Sequence, residues 1–223
     1  MLTILQPVLI PDLHDLALIL KGKSLFYSDC ERWSRKSRVH RAKIRTAEGT
    51  TYLHLPVHSD DRKKKIYEVR IDQSSDWTTP LLRTLEFNYR KSLYYDFYEP
   101  EIVALFRAAR EQNRLLPFLR ELNRQLFRFL ELPLPDPVYY GSEKAPGITD
   151  PDKISALLSA SEYLQNSTAH RYHRIGANAK AFQFSHPEYR QHFPGFEPGC
   201  SLLDLLFHYG PESFRVTDPL LQT

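Results

Sequence analysis

The densest run of chemistry-bearing residues is 31–45, ERWSRKSRVHRAKIR, which sets Arg32, Arg35, Lys36, Arg38, Arg41, Lys43 and Arg45 against a single acid, Glu31. A guanidinium fork recognises phosphate or carboxylate bidentately, and several cations together favour the approach of an anion. His40, beside Arg41, adds a neutral donor or a group that titrates near neutrality. Such a stretch suits a phosphorylated or carboxylated substrate. The competing reading is a solvated basic loop whose arginines pair with the protein's own acids.

A second candidate is 201–212, SLLDLLFHYGPE. Ser201 reads as an N-cap with Asp204 at the third helical position, as in a capping box, and Gly210-Pro211 reads as a left-handed stop. Apolar residues almost all round make this a buried helix. The Asp204 carboxylate could instead act as a general base. His170, His173, His186, His192 and His208 are scattered, and HRYH lacks both the HExxH pattern and a further ligand, so no metal site is expected. GxGxxG, GxxxxGK[ST] and GxSxG are absent, and no cofactor is expected. Cys30 and Cys200, with no CxxC spacing, suggest neither a disulfide nor zinc. Cations beside Cys30 would lower its pKa, whereas a place at a strand end would make it a small buried side chain.

The elements that must position these residues follow from periodicity. Segments 3–10 and 24–28 read as buried strands around a helix at 12–20, whose Leu13, Leu16 and Leu20 share a face. Segment 50–58 is a strand ended near Pro56, and 66–72, where Tyr67, Val69 and Ile71 alternate with charges, is a half-exposed strand. Three helical stripes follow. Thr79 caps the first, with Pro80 at its first position and Leu81, Leu82, Leu85 and Tyr89 on one face; the others are 101–114 and 116–132. The connection 132–147, with Pro133, Pro135, Pro137 and Pro146, is extended and holds a strand at Val138–Tyr140; Asp150-Pro151 opens another helix. The polar stretch 166–192 is a loop long enough to be functional. The class is α+β (or α/β): one domain, 1–223, with an N-terminal mixed sheet, packed helices in the middle and a short buried C-terminal helix.

At 223 residues, 42% hydrophobic and 26% charged, the chain can bury a real core and is not a disordered sequence. Aromatics at 13% can fill that core or line a pocket. A net charge of +3 is small for a dedicated nucleic-acid binder. Residues 1–10 lack a basic leader and are broken by Pro7, so they are neither a signal peptide nor a membrane span, and the cytoplasm is the expected compartment.

Taken in order, these segments resemble the WbqC-like protein family, most closely its Bacteroidetes-type branch. The resemblance rests on Gln6-Pro7, on Arg35-Lys36-Ser37 with His40-Arg41 and Ile44, and on Tyr52-Leu53-His54-Leu55-Pro56-Val57. Trp77 and Tyr89 extend it, and Pro187, Tyr189, Gln191, Phe196, Pro198, Ser201 and Asp204 through Glu212 form its most specific part. His40 and His208 stand where the family usually has Asn. Pro80-Leu81 fall where it often has a His, so a catalytic role for that His does not carry over.

The resemblance implies a setting in O-antigen-type surface-polysaccharide biosynthesis, with transfer of a glycyl or other acyl group to an amino sugar. Gln6, Arg35, Lys36, His40 and Arg41 would then hold an anionic small molecule, an activated sugar or acyl donor. Asp204 or His54 would take the proton of an attacking amine. Two other readings stand beside it: a non-catalytic module that binds tRNA through the same arginines, and a scaffolding protein with a tyrosine-rich surface.

Overall fold

The structure, a computed structural model, describes residues 1–165 and 175–222. β1 (Leu2–Leu5) is buried along its length and ends where Gln6-Pro7 removes a ladder donor. α1 (Leu13–Lys21) is closed by a reciprocal capping box. Asp12 Oδ1 accepts from the Asp15 N–H at 2.9 Å, and Asp15 Oδ2 accepts from the Asp12 N–H at 3.3 Å. The helix returns the chain to β2 (Ser24–Tyr27), parallel to β1 with Leu2 opposite Ser24 and Leu5 opposite Tyr27.

After a long turn, a single 3-10 turn at Arg38–His40 leads into a two-stranded hairpin, β3 (Arg41–Thr46) and β4 (Gly49–His54). Ala42, Ile44 and Leu53 bury its inner face. Leu55 and Pro56 end the second strand.

Segment 66–72 is not the expected strand. It forms a 3-10 turn at Ile66–Glu68 and two isolated bridges, Val57 with Ile71 and Arg70 with Arg114. The Lys65 N–H bonds Glu68 Oε2 at 3.0 Å and the Arg70 N–H bonds Asp61 Oδ2 at 2.7 Å, so side chains take the donors that a strand ladder needs.

The three helical stripes become α2 (Thr78–Tyr89), α3 (Tyr95–Ala108) and α4 (Leu115–Phe129). Asp76, not Thr79, caps α2: its Oδ1 accepts from Thr78 Oγ1 at 2.8 Å and from the Thr79 N–H at 3.2 Å. Those bonds hold the Asp76 carboxyl down to about 2. α3 begins six residues before the expected start and carries Pro100 inside it.

Beyond the proline-rich connection come β5 (Val138–Tyr140), the short α5 (Gly141–Lys144), α6 (Pro151–Leu157), β6 (Tyr163–Gln165) and β7 (Ala179–Lys180). With β1 and β2 they make one sheet in the order β5-β2-β1-β6-β7, every neighbouring pair parallel. The α/β class therefore holds, and its sheet is sharper than the expectation. Among the named strands the antiparallel pairing is confined to the separate hairpin, and three of the five parallel strands come from beyond residue 137. Continuous apolar runs such as LTIL suit strands covered on both faces.

The chain closes with α7 (Leu202–Tyr209), whose Leu202, Leu203, Leu205, Leu206 and Phe207 are all buried, and α8 (Phe214–Gln222). Gly210 between them has φ +46°, and a Cβ there would meet Tyr94 Cγ at 2.7 Å, so the position requires glycine. Tyr27, Tyr89, Tyr95, Tyr98, Tyr163 and Tyr189 are buried, which removes much of the expected tyrosine-rich surface. Among the described residues no helix is long and apolar enough to cross a membrane.

Candidate anion-binding site

The register of the hairpin sets Arg41 directly opposite His54 and Lys43 opposite Tyr52, so all four side chains leave the same face. The Arg41 guanidinium lies over Tyr52, with Cζ 4.6 Å from the ring centroid, a contact that contributes about 0.5–1 kcal/mol near a surface. Arg41 Nη2 donates to the Lys36 carbonyl, which ties the exposed Arg35-Lys36 turn to the hairpin. Arg41 Nε is buried and makes no hydrogen bond among the described residues.

Behind Arg41 lies His40, its ring centroid 6.1 Å from that of His54 and 5.3 Å from that of Trp33. His40 Nδ1 accepts from Trp33 Nε1 at 3.4 Å, so the neutral ring carries its proton on Nε2. Burial first, then the charges of His54, Arg41 and Arg35, push His40 down to about 4. Burial and Arg41 lower His54 as well. Both imidazoles are neutral at pH 7. The face thus combines guanidinium charge with one exposed neutral imidazole, His54.

Of the remaining cations of the stretch, Arg38, Lys43 and Arg45 have other partners. Arg38 reaches Asp12 at 3.2 Å and Asp15 at 2.7 Å. Lys43 Nζ donates to the Pro198 carbonyl at 2.7 Å. Arg45, only 4% exposed, donates to the carbonyls of Gly49 at 2.7 Å, Pro194 at 2.6 Å and Thr46. These are internal ties rather than solvated background charge. Gln6, at the carboxyl end of β1, donates to Glu31 Oε2 at 2.7 Å, so its amide is engaged by the one acid of the stretch. Cys30 is buried, and burial pushes its thiol up rather than letting the cations lower it.

Asp204 does not cap α7. Ser201 occupies the N-cap position without a side-chain bond, and its Oγ has no partner. The Asp204 carboxylate is instead fully buried, with Oδ1 accepting from Tyr89 Oη at 2.9 Å. Its Oδ2 accepts from Tyr189 Oη at 2.8 Å and Gln191 Nε2 at 3.0 Å. Tyr89 Oη in turn accepts from the Arg45 N–H at 3.0 Å, and Gln191 Oε1 from the Glu197 N–H at 2.8 Å. One carboxyl therefore joins α7, α2, β3 and the strap of residues 186–199. Burial raises its pKa, while bonds from Tyr189, Tyr89 and Gln191 favour the charged form. Its links run to the Arg45 end of the hairpin; Arg41 and His54 form the other end.

Over residues 6–216 the sequence matches the WbqC-like protein family. The chain belongs to that family. It is similar to "Uncharacterized protein Rv1507c" of Mycobacterium tuberculosis (strain ATCC 25618 / H37Rv), at 27% identity over 198 residues covering 85% of this chain and 84% of that one. No solved structure matches.

Many of the residues on which the WbqC-like resemblance rests gather in two groups in space. Arg35, Lys36, His40, Arg41 and His54 gather on and behind the open face, while Tyr89, Tyr189, Gln191 and Asp204 form the buried network. Trp33 and Tyr52 belong to the first group and were not singled out as site residues. For Tyr52 a signal existed, since two residues before His54 on a strand is the same face. His170 and His173 lie outside the described residues.

Proposed function

We propose that the open end of the hairpin holds the anionic part of an activated donor and that His54 takes the proton of an attacking amine. The reaction is transfer of a glycyl or other acyl group to an amino sugar. The attacking nitrogen forms a bond to the acyl carbon, the bond from that carbon to the leaving group breaks, and the displaced anion stays on Arg41 and Arg35. The observation that carries this reading is the direct opposition of Arg41 and His54 across the ladder. It pairs a guanidinium with a neutral base, in the order that acyl transfer needs. The surface-polysaccharide setting comes from the family resemblance; the charge of the donor comes from the site.

The test is binding and turnover in two variants. Arg41→Ala should weaken binding of pyrophosphate, a minimal probe for the donor's anionic leaving group, by about tenfold or more, corresponding to at least about 1.4 kcal/mol. His54→Gln should leave that binding in place and abolish transfer. Unchanged affinity in Arg41→Ala removes the hairpin from the mechanism. Retention of tRNA instead, with an affinity falling by about one log-log slope unit per phosphate contact as salt rises, replaces the transfer reading with a nucleic-acid module.

A further inference from the structure

Residues 188–196 and the end of α7 bound an open cleft of about 680 Å³, walled chiefly by Tyr189, His192, Phe193, Phe196 and Tyr209. We propose that this cleft binds a neutral sugar ring. Its walls are held in place by bonds that leave the aromatic faces available. Tyr189 and Gln191 are fixed by Asp204, the Pro194 carbonyl by Arg45 and the Pro198 carbonyl by Lys43. Phe196 and Tyr209 stand edge-on to Tyr189 at 5.3 and 6.1 Å between centroids, and Phe193 edge-on to His192 at 4.8 Å. Phe193, Phe196 and Tyr209 are half-buried, so each presents part of an apolar ring on which the C–H face of a pyranose can stack.

Polar groups among these rings match hydroxyls. Tyr209 Oη accepts from the Arg190 N–H at 3.1 Å and keeps its own proton to donate. The His192 imidazole touches Phe193 and His208 and makes no hydrogen bond among the described residues, which leaves one donor and one acceptor for a ligand. Burial favours its neutral form. The neighbouring cations Lys43 and Arg45 donate to backbone carbonyls, and exposed Arg190 stands two residues from exposed Glu188. A mixed lining, in which aromatic rings stand among polar groups, suits an uncharged, amphipathic ligand.

The cleft is distinct from the open face. Arg45 packs on Phe193 at 5.7 Å, whereas Arg41 lies four residues back along β3, roughly 13 Å away at about 3.3 Å per residue. Binding of a sugar in this cleft does not rest on the transfer reading.

The test is saturation-transfer NMR on the intact protein with glucose, N-acetylglucosamine and adenosine. Sugar ring protons should receive saturation from the protein, with a dissociation constant on the order of 1 mM. Phe193→Ala should weaken this about tenfold. The gentler Tyr209→Phe, which keeps the ring and removes the donor, should weaken it about threefold or more. Arg41→Ala should leave sugar binding unchanged while losing the donor, so the two sites fail independently. No binding of either sugar, preference for adenosine, or full sugar affinity in both cleft variants overturns the proposal.

Discussion

Asp204→Ala separates a helix cap from a buried junction by magnitude. Loss of a capping side chain costs about 0.5–2 kcal/mol. The junction loses more, because Asp204 is the acceptor for Tyr89 Oη and Tyr189 Oη and one of three acceptors for Gln191 Nε2, which also reaches the Glu197 carbonyl at 3.1 Å and Tyr189 Oη at 3.4 Å. Two buried phenols would be stranded at about 1–3 kcal/mol each, with part returned by no longer burying a carboxylate. The expected loss is about 3–5 kcal/mol. With a urea slope near 3 kcal/mol/M for a chain of this size, the unfolding midpoint should fall by about 1–1.7 M. Tyr89→Phe in the Asp204→Ala background should be less than additive by about 1–2 kcal/mol, because both changes break the same bond. A loss of about 1 kcal/mol or less, additive with Tyr89→Phe, would refute the junction and restore the cap.

Arg38→Ala should lower stability by about 2–3 kcal/mol, below the full cost of breaking a buried pair because the Arg38 side chain keeps 32% exposure, and should leave donor binding intact. Chemical denaturation alongside pyrophosphate titration checks both, and lost binding at full stability would reassign Arg38 to the ligand. His40 governs an acid limb. The unfolded imidazole takes up a proton near 6.5 and the folded one only at about 4, so the unfolded state binds more protons between those values. Stability from this group is present above 6.5 and lost as pH falls to about 4, by roughly 3 kcal/mol at 1.36 kcal/mol per pH unit. His40→Gln, which keeps an acceptor for Trp33 Nε1, should lose that dependence; an unchanged slope between pH 6.5 and 4 would reject the buried neutral imidazole.

What the sequence disclosed of the fold follows the strength of its periods. The apolar run at Leu2–Leu5, the capped α1 and the stripes of α2 and α4 were legible because each repeats its pattern over a strand or several turns. The start of α3 was hidden by Pro100, which reads as a beginning although it sits inside the helix. β6 and β7, with three and two residues, are too short to carry a period. Segment 66–72 has strand-like alternation, yet Asp61, outside it, takes the Arg70 N–H together with its side chain. A pattern reports what a segment can do, and partners elsewhere in the chain decide among the options.

The candidate site follows the same rule at longer range. β3 presents Arg41, Lys43 and Arg45 on one face as equivalent alternate residues, and nothing local distinguishes them. The strap takes Lys43 through Pro198 and Arg45 through Pro194, 155 and 149 residues away in sequence, and leaves Arg41 opposite His54. Asp204 repeats the lesson. Its spacing from Ser201 satisfies a cap, but three side-chain donors, the farthest 115 residues away, outweigh one backbone N–H. Because that carboxyl holds Tyr189 and Gln191 of the strap, it also helps position the carbonyls that Lys43 and Arg45 reach. The partners of those two cations thus rest on an acid far off in the sequence, and reading the basic stretch by itself could not have found the dependence.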